Sequence, residues 1–307
     1  MSSNLQPSVC GSESQVIQHV VSGRTQVLGV FGHPVEHSVS PCMHNAAAAA
    51  LGLDWVYVPF PVRPEALCRA LKALPALGIR GVNLTIPHKL AAVDAMDCLA
   101  PSAAALGAVN TVRVTDGLLE GHNTDPAGFM APLVAAGFPA AGASAVVLGA
   151  GGAARSVAWA LASAGASVIV ANRTVGRAAS LAADINAAVA MPVVSSMGVS
   201  DESALCAAVA GASLLVNTTP AGMHPNVTGL PPAPLSALHA GLLVYDLVYR
   251  PRRTRLLAAA EAAGCAVLDG LPMLAHQGAE SFRIWTDVAP PVGVMLSAAE
   301  SFLQAAG

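Results

Sequence analysis

The sequence predicts an α/β protein of two lobes, each built on a mostly parallel sheet with helices packed over it. Three observations support this. Hydrophobic residues make up 54% of the 307 residues and charged residues only 11%, so strands must be covered on both faces, as in helix-flanked parallel sheets. From Ser144 onward, apolar runs recur at a spacing of roughly 20–30 residues with helical stretches between them, which is the pattern of repeated βα units. A chain of this length also divides into two cores more readily than it fills one.

In order along the chain, Met1 to Gly23 is polar and lacks an apolar core behind a basic start, so it is expected to be a loose extension or short helix and no secretory signal. Val27 to Phe31 reads as a buried strand. Ser40 before Pro41 reads as a helix N-cap followed by a first-turn proline, with Gly52 as the stop. Ser38 and Ser40 would equally suit a carboxylate, held by two hydroxyls, free N–H groups and the helix dipole. Trp55 to Phe60 alternates like a strand, and Pro64 opens a helix running to about Leu77. Gly81 to Thr85 is the next strand. Lys89 is expected to begin a helix just beyond its carboxyl end, where open α/β sheets bind ligands. A lysine there opposes the helix dipole, which favours a role outside structure; a solvated lysine is the alternative.

Gly107 to Val112 leads into Thr115-Asp116-Gly117, a hairpin signal, and the return strand reaches Asn123-Thr124-Asp125-Pro126. By local rules Asp125 before Pro126 is a helix cap. Yet Thr85, Lys89, Asn110, Asn123 and Asp125 fall at successive strand ends, a convergence that capping alone does not explain.

The second half opens with Val146-Val147-Leu148-Gly149-Ala150-Gly151-Gly152-Ala153-Ala154, an apolar run, a glycine turn and then a helical stretch from Ser156 to Ala164. Gly149 permits the tight turn, Gly151 and Gly152 allow backbone N–H groups to approach phosphates, and Ala154 fills the last small position of a dinucleotide-binding pattern. The next strand, 167–171, runs into Asn172-Arg173-Thr174, with Arg177 one turn on. Arg173 lies 24 residues after Gly149, where NAD-binding chains carry an acid for the ribose 2′-hydroxyl. A guanidinium there pairs with a 2′-phosphate, so the site favours NADP; solvated arginines at a helix start are the alternative. Further strands are expected at 192–195, 212–216, 242–246 and 265–268. The loops after 216 and 246, carrying Thr218 and Leu247, would line the cofactor crevice. A helix is expected to start near Arg252. Two last helices, 272–284 and 292–304, no longer alternate with strands and are expected to return to the first lobe. The division expected is 1–125 plus 270–307 for a substrate lobe and 126–269 for a nucleotide lobe, with a cleft between them.

The net charge of −3 gives no reason to expect nucleic acid, and no apolar stretch is long enough to expect a membrane span. Six scattered cysteines without a C-x-x-C fit reduced thiols in a cytoplasmic protein. His33 and His37 have helical metal-pair spacing, but Pro34 argues against a helix there, so no metal is expected.

Taken together, nine stretches resemble the shikimate dehydrogenase family. They are Gly32-x-Pro34-x-x-His37-Ser38-x-Ser40-Pro41-x-x-His44-Asn45, Asn83-x-Thr85-x-Pro87-x-Lys89, Gly107-Ala108-Val109-Asn110-Thr111, Asn123-Thr124-Asp125 and Gly149-Ala150-Gly151-Gly152-Ala153. Then come Asn172-Arg173-Thr174, Asn217-Thr218-Thr219-Pro220, Tyr245-Asp246-x-x-Tyr249-x-Pro251 and Gly270-x-x-Met273-x-x-x-Gln277. They span about 27–285 in the family's order. The resemblance implies reversible, NADP-dependent reduction of 3-dehydroshikimate to shikimate by a monomer or homodimer. It implies Lys89 and Asp125 as the catalytic pair, Ser38 and Ser40 on the substrate carboxylate, and Thr85, Asn110, Tyr249 and Gln277 on the remaining polar groups. Gly149, Ala150, Gly151, Gly152 and Ala153 would carry the cofactor, with Asn172, Arg173, Thr174 and Arg177 at its ribose phosphate and Thr218, Leu247 and Gly270 along the crevice. Departures are Leu90 after the lysine, where an acid is frequent, Pro126 in place of a smaller residue, and Leu247 in place of methionine. Two alternatives remain: a broader quinate/shikimate or amino-shikimate dehydrogenase, and a paralogue that binds nucleotide without useful turnover.

Overall fold

The computed structural model describes residues 21–305, so most of the extension expected at 1–23 lies outside the described residues. The first sheet is assembled from β1 (Gln26–Gly32), β2 (Trp55–Pro61), β3 (Ile79–Leu84), the short β4 (Cys98–Leu99), β5 (Thr111–Thr115) and β6 (Leu118–His122). Its order is β2-β1-β3-β5-β6-β4, and β5 alone runs against its neighbours. The β5–β6 hairpin turns at Asp116 and Gly117, both at positive φ (52° and 83°), the two-residue geometry that matches strand twist. Because β5 is antiparallel, its first residue lies beside the carboxyl ends of its neighbours: Thr111 pairs with Asn83 of β3 and with His122 of β6.

Between these strands lie α1 (Ser40–Ala50), α2 (Leu67–Ala73) and α3 (Pro101–Leu106). The helix expected to run from Pro64 to Leu77 is instead a 3₁₀ turn over Pro64–Ala66 followed by α2, which stops at Ala73. Pro75 has no amide hydrogen to continue the ladder. No helix begins at Lys89, contrary to expectation. Residues 86–87 and 89–92 form turns instead: the Lys89 carbonyl accepts the amide of Val109 (2.8 Å), and the Val93 amide goes to the Leu90 carbonyl (3.3 Å).

α4 (Asp125–Ala135) leads into the second sheet: β7 (Ser144–Leu148), β8 (Ser167–Asn172), β9 (Val194–Gly198), β10 (Leu214–Asn217), β11 (Leu243–Asp246) and β12 (Ala266–Leu268). All its pairings are parallel, in the order β12-β11-β10-β7-β8-β9. The winding reverses between β7 and β10, and such a switch point opens a crevice beyond the strand ends. α5 (Gly152–Ser163), α6 (Val175–Val189), α7 (Glu202–Ala210) and α8 (Arg255–Ala262) cover its faces. Val147 packs on one side among Phe129, Val157 and Leu161, and Val146 on the other among Leu205, Leu215 and Val244, the double burial that the apolar composition predicted. The helix expected near Arg252 starts at Arg255, because Thr254 supplies the cap by accepting the Leu257 amide (3.3 Å).

α9 (Gly270–Thr286) and α10 (Val292–Ala305) leave this sheet and pack on α1, where Leu271, Ala275, Phe282 and Met295 meet Val39 and Met43. The Trp285 indole N–H donates to the Val112 carbonyl of β5 (2.9 Å).

Candidate functional site

The site grows from the shared end of β3, β5 and β6. Lys89 follows β3 and Asp125 opens α4, and they meet as an ion pair, Nζ to Oδ2 at 2.7 Å. The Lys89 side chain is 32% exposed and that of Asp125 12%, so the pair sits at a surface with its carboxylate turned inward. Asp125 was expected to cap α4 by local rules; it does not. Thr124 takes the cap position without a side-chain bond, and Asp125 is the first helical residue. Its second oxygen accepts from Asn110 Nδ2 (2.8 Å), so both oxygens serve partners outside the helix.

Asn110 is held in one orientation. Its Oδ1 accepts the backbone amide of Thr124 (2.9 Å), which can only donate, so Nδ2 must face Asp125. The Thr111 hydroxyl also donates to Oδ1 (2.9 Å). Behind it, Asn83 Nδ2 lies 3.0 Å from the Asn110 carbonyl, from Thr111 Oγ1 and from Ser281 Oγ of α9. The Tyr57 hydroxyl donates to Asn83 Oδ1 (2.8 Å) and on its other side meets the hydroxyl of Ser40. Burial pushes the Tyr57 hydroxyl well above its usual range, so it stays a proton donor. One buried polar network thus runs from the start of α1 to the Lys89–Asp125 pair.

Ser40, expected as an N-cap, is the first residue of α1. Val39 precedes it in helical conformation, and the Ser38 hydroxyl accepts the Ser40 amide instead (3.3 Å). Both serines still sit at the helix start, half-buried. Thr85 lies at the end of β3 with its methyl against Gly32, where a Cβ would come within 2.5 Å. Gln277 donates to the Leu274 carbonyl (2.8 Å) on α9, at the point where α9 crosses Gly128 of α4. Tyr249, after β11, packs into the cluster around Val39 and Leu271, bringing the second sheet's carboxyl edge to α1. Burial raises its hydroxyl above the usual range, opposed by Arg250. One turn beyond Asp125, Phe129 stacks on Tyr245 of β11 with centroids 5.2 Å apart. The helix that begins with Asp125 therefore packs against the second sheet.

At the switch point, Gly149 has φ +110°, and a Cβ there would meet Thr218 Oγ1 at 2.6 Å. Thr218 donates to the Leu148 carbonyl (2.7 Å), so its hydroxyl serves as a clamp between β10 and β7. Gly151 and Gly152 are exposed with open space where a Cβ would project, and α5 begins with no side-chain cap. Its first N–H groups, with Ala150 and Ala153 beside them, thus suit a pyrophosphate. Asn172 Nδ2 folds back onto the Thr174 carbonyl (3.0 Å). Arg173, Thr174 and Arg177 are exposed, and among the described residues neither arginine has a carboxylate partner, whereas Arg155 is paired with Asp184 (2.7 Å). The residues present fit a 2′-phosphorylated dinucleotide. Leu247 is half-buried against the core that holds Ala150 and Met273, and the Leu247 carbonyl approaches Gly270 so closely that a side chain at Gly270 is excluded.

Sequence reasoning passed over Ser281 and Tyr57 in the network, and over a second buried set at the crevice floor. There Asp246 accepts from Asn217 Nδ2 (2.8 Å), Thr254 Oγ1 (2.7 Å) and the Val248 amide (3.1 Å). Burial raises its carboxyl above the usual range against those three bonds. The signal for Ser281 was a hydroxyl four residues from Gln277 inside the apolar stripe of α9. Two concavities of about 440 Å³ flank the site. One includes Asn123, Thr124 and Trp159, the other Tyr249, Arg252 and Glu300. Among the described residues no three His, Cys, Asp or Glu side chains gather to hold a metal.

Three family profiles match the chain: "Shikimate dehydrogenase substrate binding domain" over residues 30–112, "Shikimate / quinate 5-dehydrogenase" over 133–217, and "Shikimate 5'-dehydrogenase C-terminal domain" over 270–300. A shikimate dehydrogenase (NADP(+)) of Moorella thermoacetica is 48% identical over 279 residues, 90% of this chain and 92% of that one. Among solved structures, shikimate 5-dehydrogenase from Thermus thermophilus in complex with NADP(H) and shikimate is 42% identical, with a TM-score of 0.81 over 90% of this chain and 99% of that one. A quinate dehydrogenase from Corynebacterium glutamicum in complex with NAD is 36% identical, with a TM-score of 0.83 over 90% and 99%.

Proposed function

The chain belongs to the shikimate dehydrogenase family, and from that premise we propose that it interconverts 3-dehydroshikimate and shikimate with NADP, using Lys89 and Asp125 as its proton-handling pair. The observation that carries this is the 2.7 Å contact between the two, made by residues 36 positions apart that follow the ends of β3 and β6. NADP, when bound, takes up or supplies the hydride at the substrate's carbinol carbon. The chain's own part is the proton. As the hydroxyl loses hydrogen, the Lys89 ammonium stabilises the developing negative charge, and the proton goes to the Asp125 carboxylate, directly or by Lys89 handing its own proton to Asp125 and taking the substrate's in its place; the reverse direction returns it. The Asn110 bond keeps one carboxylate oxygen engaged, so the other faces lysine and substrate.

Ser38 and Ser40 would hold the substrate carboxylate at the start of α1, and Thr85, Asn110, Tyr249 and Gln277 its hydroxyls. Arg173 and Arg177 would pair with the 2′-phosphate; Gly149 to Ala153, with Asn172 and Thr174, would bind the rest of the dinucleotide, and Thr218, Leu247 and Gly270 would border its reactive end. The substrate lobe is taken as 1–125 with 270–307 and the nucleotide lobe as 126–269. A cytoplasmic monomer or homodimer is part of the reading. The five cysteines among the described residues are free thiols, and no described helix is long and apolar enough to cross a membrane.

The test is Lys89→Ala assayed by reduced-nicotinamide absorbance with shikimate or quinate, each with NADP or NAD. Turnover with shikimate and NADP should fall roughly 10²–10⁴-fold, the usual worth of positioned acid–base catalysis, with nucleotide binding intact. Wild-type turnover in the variant would overturn the assignment, and preference for quinate with NAD in the unaltered chain would favour the broader relative.

A further inference from the structure

We propose that Ser281 is a positioning residue for the catalytic pair, acting through Thr111 and Asn110; the inference rests on the reading of Lys89 and Asp125 given above. Ser281 is fully buried in the middle of α9. A serine in that position commonly returns its hydroxyl to the carbonyl four residues back, and this one is 2.9 Å from the Gln277 carbonyl. That habit does not account for its other neighbours. Its oxygen also lies 2.8 Å from Thr111 Oγ1, 3.0 Å from Asn83 Nδ2 and 3.2 Å from Thr124 Oγ1, atoms delivered by β5, β3 and the start of α4.

Counting protons shows one route from Ser281 into Asn110. Ser281 has one proton and three acceptors within reach, the Gln277 carbonyl, Thr111 Oγ1 and Thr124 Oγ1. Given to Thr111, it lets the Thr111 proton go to Asn110 Oδ1 (2.9 Å) while Asn83 supplies Thr111 with a second donor. Asn110 cannot turn over, because the Thr124 amide fixes its oxygen. Each donation into Asn110 Oδ1 therefore polarises its two Nδ2–H bonds, one aimed at the Asp125 carboxylate (2.8 Å) and the other at Thr124 Oγ1 (3.0 Å). The same hydroxyl ties the α9 turn that carries Gln277 to the strand ends that carry Asn110, so one buried atom sets the spacing between the two proposed substrate contacts.

Ser281→Ala and the near-isosteric Thr111→Val test this by kcat, KM and the pH profile of kcat/KM, with Lys89→Ala alongside. Turnover should fall about tenfold in each, short of the ~10²-fold that a 1 Å misplacement costs. The acid limb should move upward by roughly 0.1–0.7 pH unit, reflecting about 10–30% lost from one charge-assisted bond. KM for NADP should stay unchanged. Wild-type kcat and acid limb in both variants, or a matching rise in KM for NADP, overturns the positioning role. If Ser281→Ala does not fold, Thr111→Val decides alone. Active Lys89→Ala would instead sink the catalytic reading itself, so the two failures are distinct.

Discussion

Asp125→Asn is the most informative single change, because both of its neighbours can only donate toward it. The Lys89 ammonium has no acceptor, and Asn110 presents Nδ2 for the reason given by the Thr124 amide. An asparagine offers one oxygen for two donors, so its own N–H₂ must face an ammonium or another amide N–H₂. Leaving a buried donor unmatched costs about 1–3 kcal/mol. The lost ion pair adds up to about 1 kcal/mol more, the worth of a solvent-screened pair, because Lys89 is 32% exposed. The sum, roughly 1–4 kcal/mol, corresponds to a fall in Tm of about 2–6 °C for a chain of 307 residues melting as one unit. Turnover should drop roughly 10²–10⁴-fold. The exchange Asn110→Asp with Asp125→Asn restores a donor opposite an acceptor at that contact, so it should recover most of the stability while the charge stands one residue away from lysine. Calorimetric melting and reduced-nicotinamide absorbance read the two quantities separately. Full turnover in Asp125→Asn, or recovery of turnover along with stability in the exchange, would refute the reasoning.

Arg173→Ala should raise KM for NADP about 10–100-fold, the worth of charged hydrogen bonds to phosphate, and leave KM for NAD nearly unchanged; equal weakening of both would contradict the 2′-phosphate assignment. Gly128→Ala places a Cβ 2.6 Å from Gln277 Cβ and 2.7 Å from its backbone nitrogen. Helices α4 and α9 must separate at a cost of about 1–3 kcal/mol, and KM for shikimate should rise more than KM for NADP; an unchanged KM for shikimate would refute it. His44 is fully buried, stacked on Tyr57 at 4.3 Å, and burial lowers its pKa to about 3. The unfolded chain takes up that proton near pH 6.5, so stability is full above 6.5 and declines as pH falls toward 3. His44→Leu should therefore lose about 2 kcal/mol less than the unaltered chain in urea unfolding between pH 7 and pH 5, and an identical decline would count against it.

Much of the fold was legible because it rests on local rules that nothing overrides. Val146 to Leu148, buried on both faces, announced a central parallel strand, and Asp116-Gly117 announced the hairpin by its need for positive φ. The short α3 escaped notice because Pro101 to Leu106 is too brief and too alanine-rich to show a period, although its stop at Gly107 (φ +58°) is a helix-ending signal. Of the candidate site, Lys89, Asn110 and Asp125 were legible as polar residues at strand ends. Ser281 and Tyr57 were not, because their partners come from strands and helices far away in sequence: Ser281 meets Thr111 across 170 residues and Tyr57 meets Asn83 across 26.

The misplaced local expectations are themselves informative. Ser40 and Asp125 each stand where capping rules would use the side chain on the residue's own helix, and Lys89 stands where a helix was expected to start. In all three the side chain or backbone is drawn away: Ser40 to Tyr57, Asp125 to Lys89 and Asn110, the Lys89 carbonyl to Val109. Sequences that fold well satisfy local and global preferences together, and departures concentrate where function demands another arrangement. A chain selected only to bind nucleotide would have no use for giving up an N-cap, worth about 1 kcal/mol, to seat a carboxylate against an ammonium. That forfeited cap therefore argues for turnover over mere binding, and it does so from geometry that holds whichever member of the pair receives the proton.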